Sequence, residues 1–164
     1  MITTQRLVLR RARMADLDDL HRVFADPAAM RYWSCPPHTD IAQTADFLAG
    51  MVGLSPETSD EFVVEFGGRV IGKAGCWRLG EIGFILHSDY WRQGLAREAL
   101  DAVIPHVFDT LPIDRLVADV DPRNVASRTI LARLGFRETG RASRTIQVGD
   151  EWCDSVYLEL PRPE

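Results

Sequence analysis

Residues Ile82 to Phe108 run from an apolar strand pattern, through a basic glycine-bearing turn, into a long amphipathic helix. No other stretch constrains the fold as much. Ile82-Gly83-Phe84-Ile85-Leu86 reads as a strand and Tyr90-Trp91-Arg92-Gln93-Gly94 as the turn. The helix beyond carries apolar pairs at Leu95/Ala96, Ala99/Leu100, Val103/Ile104 and Val107/Phe108, which make a wide buried stripe. Pro105 interrupts it and predicts a kink or an early stop, since an interior proline costs about 3 kcal/mol. At the start of such a helix the free N–H groups and aligned peptide dipoles favour an anion. Gly94 removes the side chain where that ligand would approach, while Arg92 and Arg97 add charge. Taken alone, the pattern also describes an ordinary helix start, and its weight comes from the rest of the chain.

A length of 164 residues predicts one domain spanning 1–164, enough to bury a core without staples. The formal net charge of −5 argues against a nucleic-acid partner, so any anion site is local. Met1 to Leu7 mixes charge with apolar residues at once, unlike a signal peptide. No apolar run reaches the length of a membrane span, so no membrane partner is expected. Cys35, Cys76 and Cys153 are odd in number and widely spaced, which suits reduced thiols in a cytoplasm better than a disulfide framework. His21, His38, His87 and His106 form no ligand spacing, so no metal is expected.

Along the chain, Leu7-Val8-Leu9 reads as a first strand and Met14 to Ala25 as an amphipathic helix stopped at Asp26-Pro27. Met30 to Pro37 is aromatic and proline-broken, hence irregular. Thr39 or Asp40 caps a second helix to about Val52. From Glu61 the period becomes two: Glu61 to Phe66, a Gly67-Gly68 turn, Arg69 to Trp77, a Leu79-Gly80 turn, then Glu81 to Leu86. Leu116 to Val120 is a buried strand. Asn124 caps a short helix through Leu134, closed by Gly135. Arg144 to Val148 and Trp152 to Leu160 form a closing hairpin around Gly149-Asp150. These elements predict a mixed α/β domain with an antiparallel meander in the middle and two βα units in the second half.

Several segments together resemble a known family. Leu7-Val8-Leu9-Arg10, Met30-Arg31-Tyr32-Trp33, Glu81-Ile82-Gly83-Phe84, the Tyr90-to-Leu100 block, Asp121-Pro122-Arg123-Asn124-Val125-Ala126-Ser127, Leu134-Gly135-Phe136 and Trp152-Cys153-Asp154 follow one another in order. That order resembles the GNAT acyltransferases, in the branch similar to RimJ/RimL ribosomal-protein N-terminal acetyltransferases. The resemblance implies a single-domain, mostly antiparallel twisted sheet with a central parallel strand pair flanked by helices. It also implies acetyl-CoA as donor, a primary amine as acceptor and direct transfer in one ternary complex. The family's pyrophosphate signature is Gln or Arg, two residues, Gly, one residue, Gly or Ala. Gly94 and Ala96 match its end, Trp91 departs from its start, and Arg92 stands where the branch has glycine. On this reading Trp91, Arg92, Gln93, Gly94, Leu95, Ala96 and Arg97 hold the pyrophosphate. Phe84, Ile85 and Leu86 offer a strand edge to the pantetheine arm, Asn124 lies near that arm, and Ser127 lies near the sulfur.

Amine acetylation needs a base, or a water it positions, and benefits from a proton donor at the departing thiolate. Glu81 opens the strand beside the implied thioester and reads as that base or as a solvated strand-end carboxylate. Ser127 reads as the group that steadies the thiolate, or as part of the Asn124 turn. Tyr157 is a lesser alternative acid and reads as a packing residue. The N–H of Leu86 is placed to meet a developing oxyanion. Tyr32 and Trp33 read as walls of an acceptor pocket or as loop packing. Asp154 reads as a partner for an acceptor ammonium or as an exposed hairpin acid.

The leading reading is an N-acetyltransferase acting on the α-amino group of a ribosomal or other protein N-terminus. A small-molecule amine acetyltransferase for a polyamine, amino acid or aminoglycoside stands second. A non-catalytic acyl-CoA-binding module is the alternative outside enzymes. A homodimer through a strand edge or helix is a further expectation.

Overall fold

A computed structural model describes all 164 residues, and eight strands between Ile2 and Pro161 join into one sheet. In chain order these are β1 (Ile2–Thr3), β2 (Leu7–Arg10), β3 (Asp60–Phe66), β4 (Arg69–Arg78), β5 (Glu81–Leu86), β6 (Arg115–Val120), β7 (Arg137–Val148) and β8 (Glu151–Pro161). The helices are α1 (Leu17–Phe24), α2 (Ile41–Val52), α3 (Leu95–Thr110) and α4 (Val125–Arg133). Strand order is β1-β2-β3-β4-β5-β6-β8-β7, antiparallel throughout except for the parallel pair β5 and β6. This is the mixed, mostly antiparallel architecture with a central parallel pair that the resemblance implied. No helix is long and apolar enough to cross a membrane.

The sheet buries both faces. One face carries α3 and α4 over a core that includes Ile82, Leu86, Leu95, Leu100, Val103, Val107 and Leu131. The other carries α1 and α2 over a smaller core built from Leu20, Val23, Phe24, Leu48, Val63 and Ile85. Alternation along β5 therefore sends Ile82 and Leu86 to one core and Ile85 to the other. The predicted caps form. Asp40 accepts the Ala42 N–H at 2.8 Å while the Gln43 side chain accepts the Asp40 N–H at 3.0 Å, a reciprocal pair that starts α2. Asn124 accepts the Ser127 N–H at 3.2 Å to start α4, and Gly135 ends it with φ of 96°.

Three expectations are corrected. α3 runs unbroken through Pro105 to Thr110. The proline lies on the exposed side, where water can hydrate the carbonyl it leaves unpaired, and the buried stripe outweighs its cost. β7 begins at Arg137 rather than Arg144, because pairing with β8 overrides a stretch whose polar residues show no alternation. A bulge between Ala142 and Ile146, with Arg144 at φ of 53°, had hidden the register. A short β1, two residues paired to Leu9 and Val8, also went unread.

Two carboxylates, Asp16 buried and Asp26 half-buried, brace the loops. Asp16 receives Arg10 at 2.8 and 3.0 Å and the Arg13 N–H at 2.8 Å. Burial pushes its carboxyl up, but those bonds outweigh burial and hold it below the usual carboxylate range. Asp26, which accepts the Ser88 and Ala28 N–H groups, is depressed by the same balance. A carboxyl depressed in the fold gives up its proton more readily there than in the unfolded chain. Its stabilisation is present above the unfolded value near pH ~3.9 and is lost as pH falls through the lower folded value. Melting temperature should therefore stay level from pH 7 to about 5 and drop below about 4. Thermal melts across that range test this, and a melting temperature indifferent to acid would remove both aspartates from the stability of the fold.

Candidate active site

The parallel junction holds the site open. β5 and β6 pair only at Glu81 and Val117, with the Val117 N–H donating to the Gly80 carbonyl at 2.7 Å. Beyond that bridge the two strands part. The His87 N–H donates to the Ile71 carbonyl at 2.9 Å, so odd-numbered residues of β5 turn toward β4. By alternation the backbones of Ile82, Phe84 and Leu86 face the gap. Trp91 Nε1 closes one of these groups by donating to the Leu86 carbonyl at 3.0 Å. The N–H groups of Phe84 and Leu86 remain on an edge that an extended amide chain can pair with.

The turn at the end of this gap is built for anions. Arg92 and Gly94 both adopt left-handed backbone, at φ of 61° and 76°. Arg92 thus takes the conformation that glycine adopts freely, at the position where the resembling branch has glycine. The amides of six consecutive residues, Arg92 to Arg97, have no protein partner, and the carbonyl of Gly94 accepts the Glu98 N–H at 3.0 Å. Consecutive free N–H groups with alternating backbone form a concavity for negative oxygen. The Arg92 guanidinium is unpaired, whereas Arg97 is tied to Asp101 at 2.9 Å and contributes less than its sequence position implied. Arg6, which the sequence reading passed over, donates to the Gln93 carbonyl at 2.8 Å and pairs with Glu98. It clamps the turn from just before β2 and brings another cation beside Gly94. No local pattern signals a residue that acts across so much chain.

On the α1/α2 face, a cavity of about 630 Å³ lies between α2, the loop at Tyr32 to Ser34, the strand ends and the β7–β8 hairpin. It brings together Tyr32, Trp33, Glu81 and Asp154, the four residues picked out for the acceptor. Arg78 Nε donates to Glu81 Oε2 at 2.7 Å, which fixes the carboxylate and leaves Oε1 without a protein partner. Asp154 accepts the Arg144 N–H at 2.8 Å. The cavity also takes in Asp46, Glu61, Asp119 and Asp121, and Lys73 is its only cationic lining residue. Sequence reading missed all five, since three sit in strands that read simply as core. The field in the cavity therefore favours a cation.

The mouth is clasped electrostatically. Arg123 grips Asp121 at 2.7 and 3.0 Å and donates to Glu151 at 2.7 Å, and Arg31 reaches the same glutamate. Both guanidinium groups stand over the Tyr32 ring, at 4.9 and 5.5 Å. Hydrogen bonding to Arg123 holds the Asp121 carboxyl below the usual carboxylate range.

Ser127 lies in the first turn of α4, beyond β6, and does not line this cavity. Its hydroxyl has no protein hydrogen-bond partner, while the Asn124 side chain is occupied by the cap. Tyr157 is exposed on β8 opposite Asp119 rather than packed inside. The three cysteines are free. Burial pushes the Cys76 thiol up to about 11, and Cys153 lines the cavity. His21 and His38 share the Thr44 hydroxyl at 2.7 Å each.

Residues 6–137 match a family described as acetyltransferase (GNAT) domain. The chain is 32% identical over 146 residues to a Bacillus licheniformis protein named uncharacterized N-acetyltransferase p20, covering 84% of this chain and 82% of that one. It is 34% identical over 90 residues to the Escherichia coli [ribosomal protein uS5]-alanine N-acetyltransferase, covering 55% of this chain and 46% of the relative. Among solved structures, a GNAT-family acetyltransferase from Bacillus anthracis aligns with a TM-score of 0.84 at 25% identity, over 98% of this chain and 97% of that one. RimL, a ribosomal L7/L12 alpha-N-protein acetyltransferase in complex with coenzyme A, aligns at 0.84 and 18% identity over 98% and 96%. Spermidine N-acetyltransferase from Vibrio cholerae, with CoA and spermine, aligns at 0.82 and 18% over 96% of each.

Proposed function

This chain belongs to the GNAT acetyltransferase family and is an acetyl-CoA-dependent N-acetyltransferase, and from that premise we propose that its acceptor is the α-amino group of a protein or peptide. The observation that carries this reading is the make-up of the cavity. Its carboxylates Glu81, Asp119 and Asp121 gather at the strand ends beside the sheet gap, and its remaining walls include Trp33, Phe47, Met51, Leu54 and Trp77. Such a site suits one ammonium head attached to an amphipathic body. The relative named [ribosomal protein uS5]-alanine N-acetyltransferase supports it.

Acetyl-CoA supplies an acetyl thioester, already activated toward an amine. Arg92 and the free amides of Arg92 to Arg97 hold its pyrophosphate, and the open edge of Phe84 and Leu86 pairs its amide-bearing arm. That arm points the thioester down the gap toward Glu81. The Phe84 N–H, nearer Glu81 along β5 than the Leu86 N–H that the sequence picks out, donates to the carbonyl oxygen as negative charge develops there, while the Leu86 N–H pairs the arm. Glu81 Oε1 accepts the amine proton through a water, and the Ser127 hydroxyl hydrogen-bonds the departing sulfur. The three free cysteines fit a reducing compartment such as the cytoplasm.

A polyamine acceptor is the second reading. Asp46 and Asp119 line the cavity from different elements and neither has a protein partner, which would seat two cationic centres. Thioester consumption should be measured against peptides with free N-termini, polyamines, amino acids, aminoglycosides and no added acceptor. Peptides are expected to give the highest kcat/KM. Faster turnover of a polyamine would transfer the assignment to it, and acetyl-CoA binding without turnover of any acceptor would leave a binding module.

A further inference from the structure

The floor of the acceptor cavity holds an ion pair that the transfer chemistry does not use. Lys73 on β4 meets Glu61 on β3, and both side chains are 3% exposed. The Lys73 ammonium also stands 5.3 Å from the Trp33 ring centre and 5.7 Å from that of Phe47. Two charges buried in a core are costly to desolvate, and well-packed apolar side chains of the same volume would serve stability as well or better. What distinguishes this pair is its place, since both residues line the cavity.

Their hydrogen-bonding capacity is largely unspent. An ammonium has three donors and a carboxylate about four acceptor sites, yet the one side-chain hydrogen bond either makes is to the other. A cation entering here would meet Lys73, and an anion would meet Glu61. A group that accepts from one and donates to the other satisfies both.

We propose that Lys73 and Glu61 determine acceptor specificity by reading a neutral hydroxyl or carboxamide carried near the reacting amine. The register sets the reach. Glu61 lies opposite Gly75, which pairs with Gly83, while Lys73 pairs with Ile85. The pair is thus two to four residues along β5 from Glu81, roughly 7–13 Å at about 3.3 Å per residue. That distance spans from an N-terminal ammonium to one of the first two side chains of a peptide. An apolar side chain there leaves the pair cut off from water without a partner, the situation in which polar sites discriminate best. The inference rests on the peptide reading only for which molecule carries the group, not for what the pair recognises.

The test uses acceptors matched in shape. Peptides bearing Thr or Val, and Asn or Leu, at the first or second position are compared with a primary amino alcohol and its alkylamine counterpart. Wild-type enzyme should favour the polar member of a pair by about 10-fold or more in kcat/KM. In the double variant Glu61→Leu/Lys73→Met, which leaves no polar side chain at the pair and is checked for folding by thermal melting, that ratio should collapse toward one. A wild-type ratio near one overturns the proposal whether or not the variant folds, and so does an unchanged ratio in a folded variant. Turnover of the small amines without any peptide would sink the N-terminal reading alone, since the amino alcohol pair still reports on Lys73 and Glu61. Turnover of neither set would remove both.

Discussion

Gly94→Val should weaken acetyl-CoA binding on the order of 100-fold or more, because it damages a turn in which six amides in a row have no protein partner. Hydrogen bonds to charged oxygens contribute about 1.5–3 kcal/mol each, so displacing two is enough for an effect of that size. The loss is expected without collapse of the fold. A β-carbon at Gly94 would meet nothing nearer than Arg6 Nη2 at 3.5 Å, so there is room. What it meets instead is strain, since φ is 76° and a side chain in left-handed backbone costs about 1–2 kcal/mol. Gly94→Ala separates the two contributions. It carries most of the backbone strain but little bulk, and should lose less affinity than the valine at a similar melting temperature. Titration calorimetry on both folded variants measures this. Unchanged affinity in Gly94→Val would take the turn out of the donor site.

How far this could be read from sequence depends on the range of the interactions involved. The strand ending at Leu86, the turn and α3 were legible because periodicity, a glycine and a run of apolar pairs are local signals. So were the Asp40 and Asn124 caps, each of which closes within three residues. The gap between β5 and β6 was not, because it arises from two strands that part after one bridge, with α3 intervening in the chain. The same holds for the Arg6 clamp, whose partners Gln93 and Glu98 lie about ninety positions away. Lys73, Glu61 and Asp119 read as members of core strands. Only the assembled sheet turns their side chains into one cavity, and only burial distinguishes Lys73 from a surface lysine. Pro105 erred in the opposite direction: a strong local signal lost to tertiary packing.

Glu81→Gln should lower kcat by about 10²–10⁴-fold while leaving acetyl-CoA affinity nearly unchanged. The amide keeps the shape and can still accept from Arg78, but it cannot take a proton. Affinity should be spared because the proposed donor site is the turn and the strand edge, whereas Glu81 lies at the bridge and lines the cavity. Arg78 holds Oε2 and leaves Oε1 free, which is the arrangement of a base oriented by a third group. Arg78→Met should therefore slow turnover less than Glu81→Gln, since it loosens the carboxylate without removing it. The acid limb of kcat/KM should flatten in Glu81→Gln unless that limb belongs to the acceptor amine. Repeating the profile with an acceptor of different amine pKa separates these causes. Ser127→Ala should cost less than either loss at Glu81, and least with a donor whose thiol leaves easily. Wild-type turnover by Glu81→Gln at every pH would make this carboxylate a bystander. Proton removal would then pass to Asp119, which faces the same cavity with no partner, or to bulk water. The barrier would rest on holding the amine against the thioester and on the Phe84 N–H, contributions large enough to sustain transfer without a dedicated base.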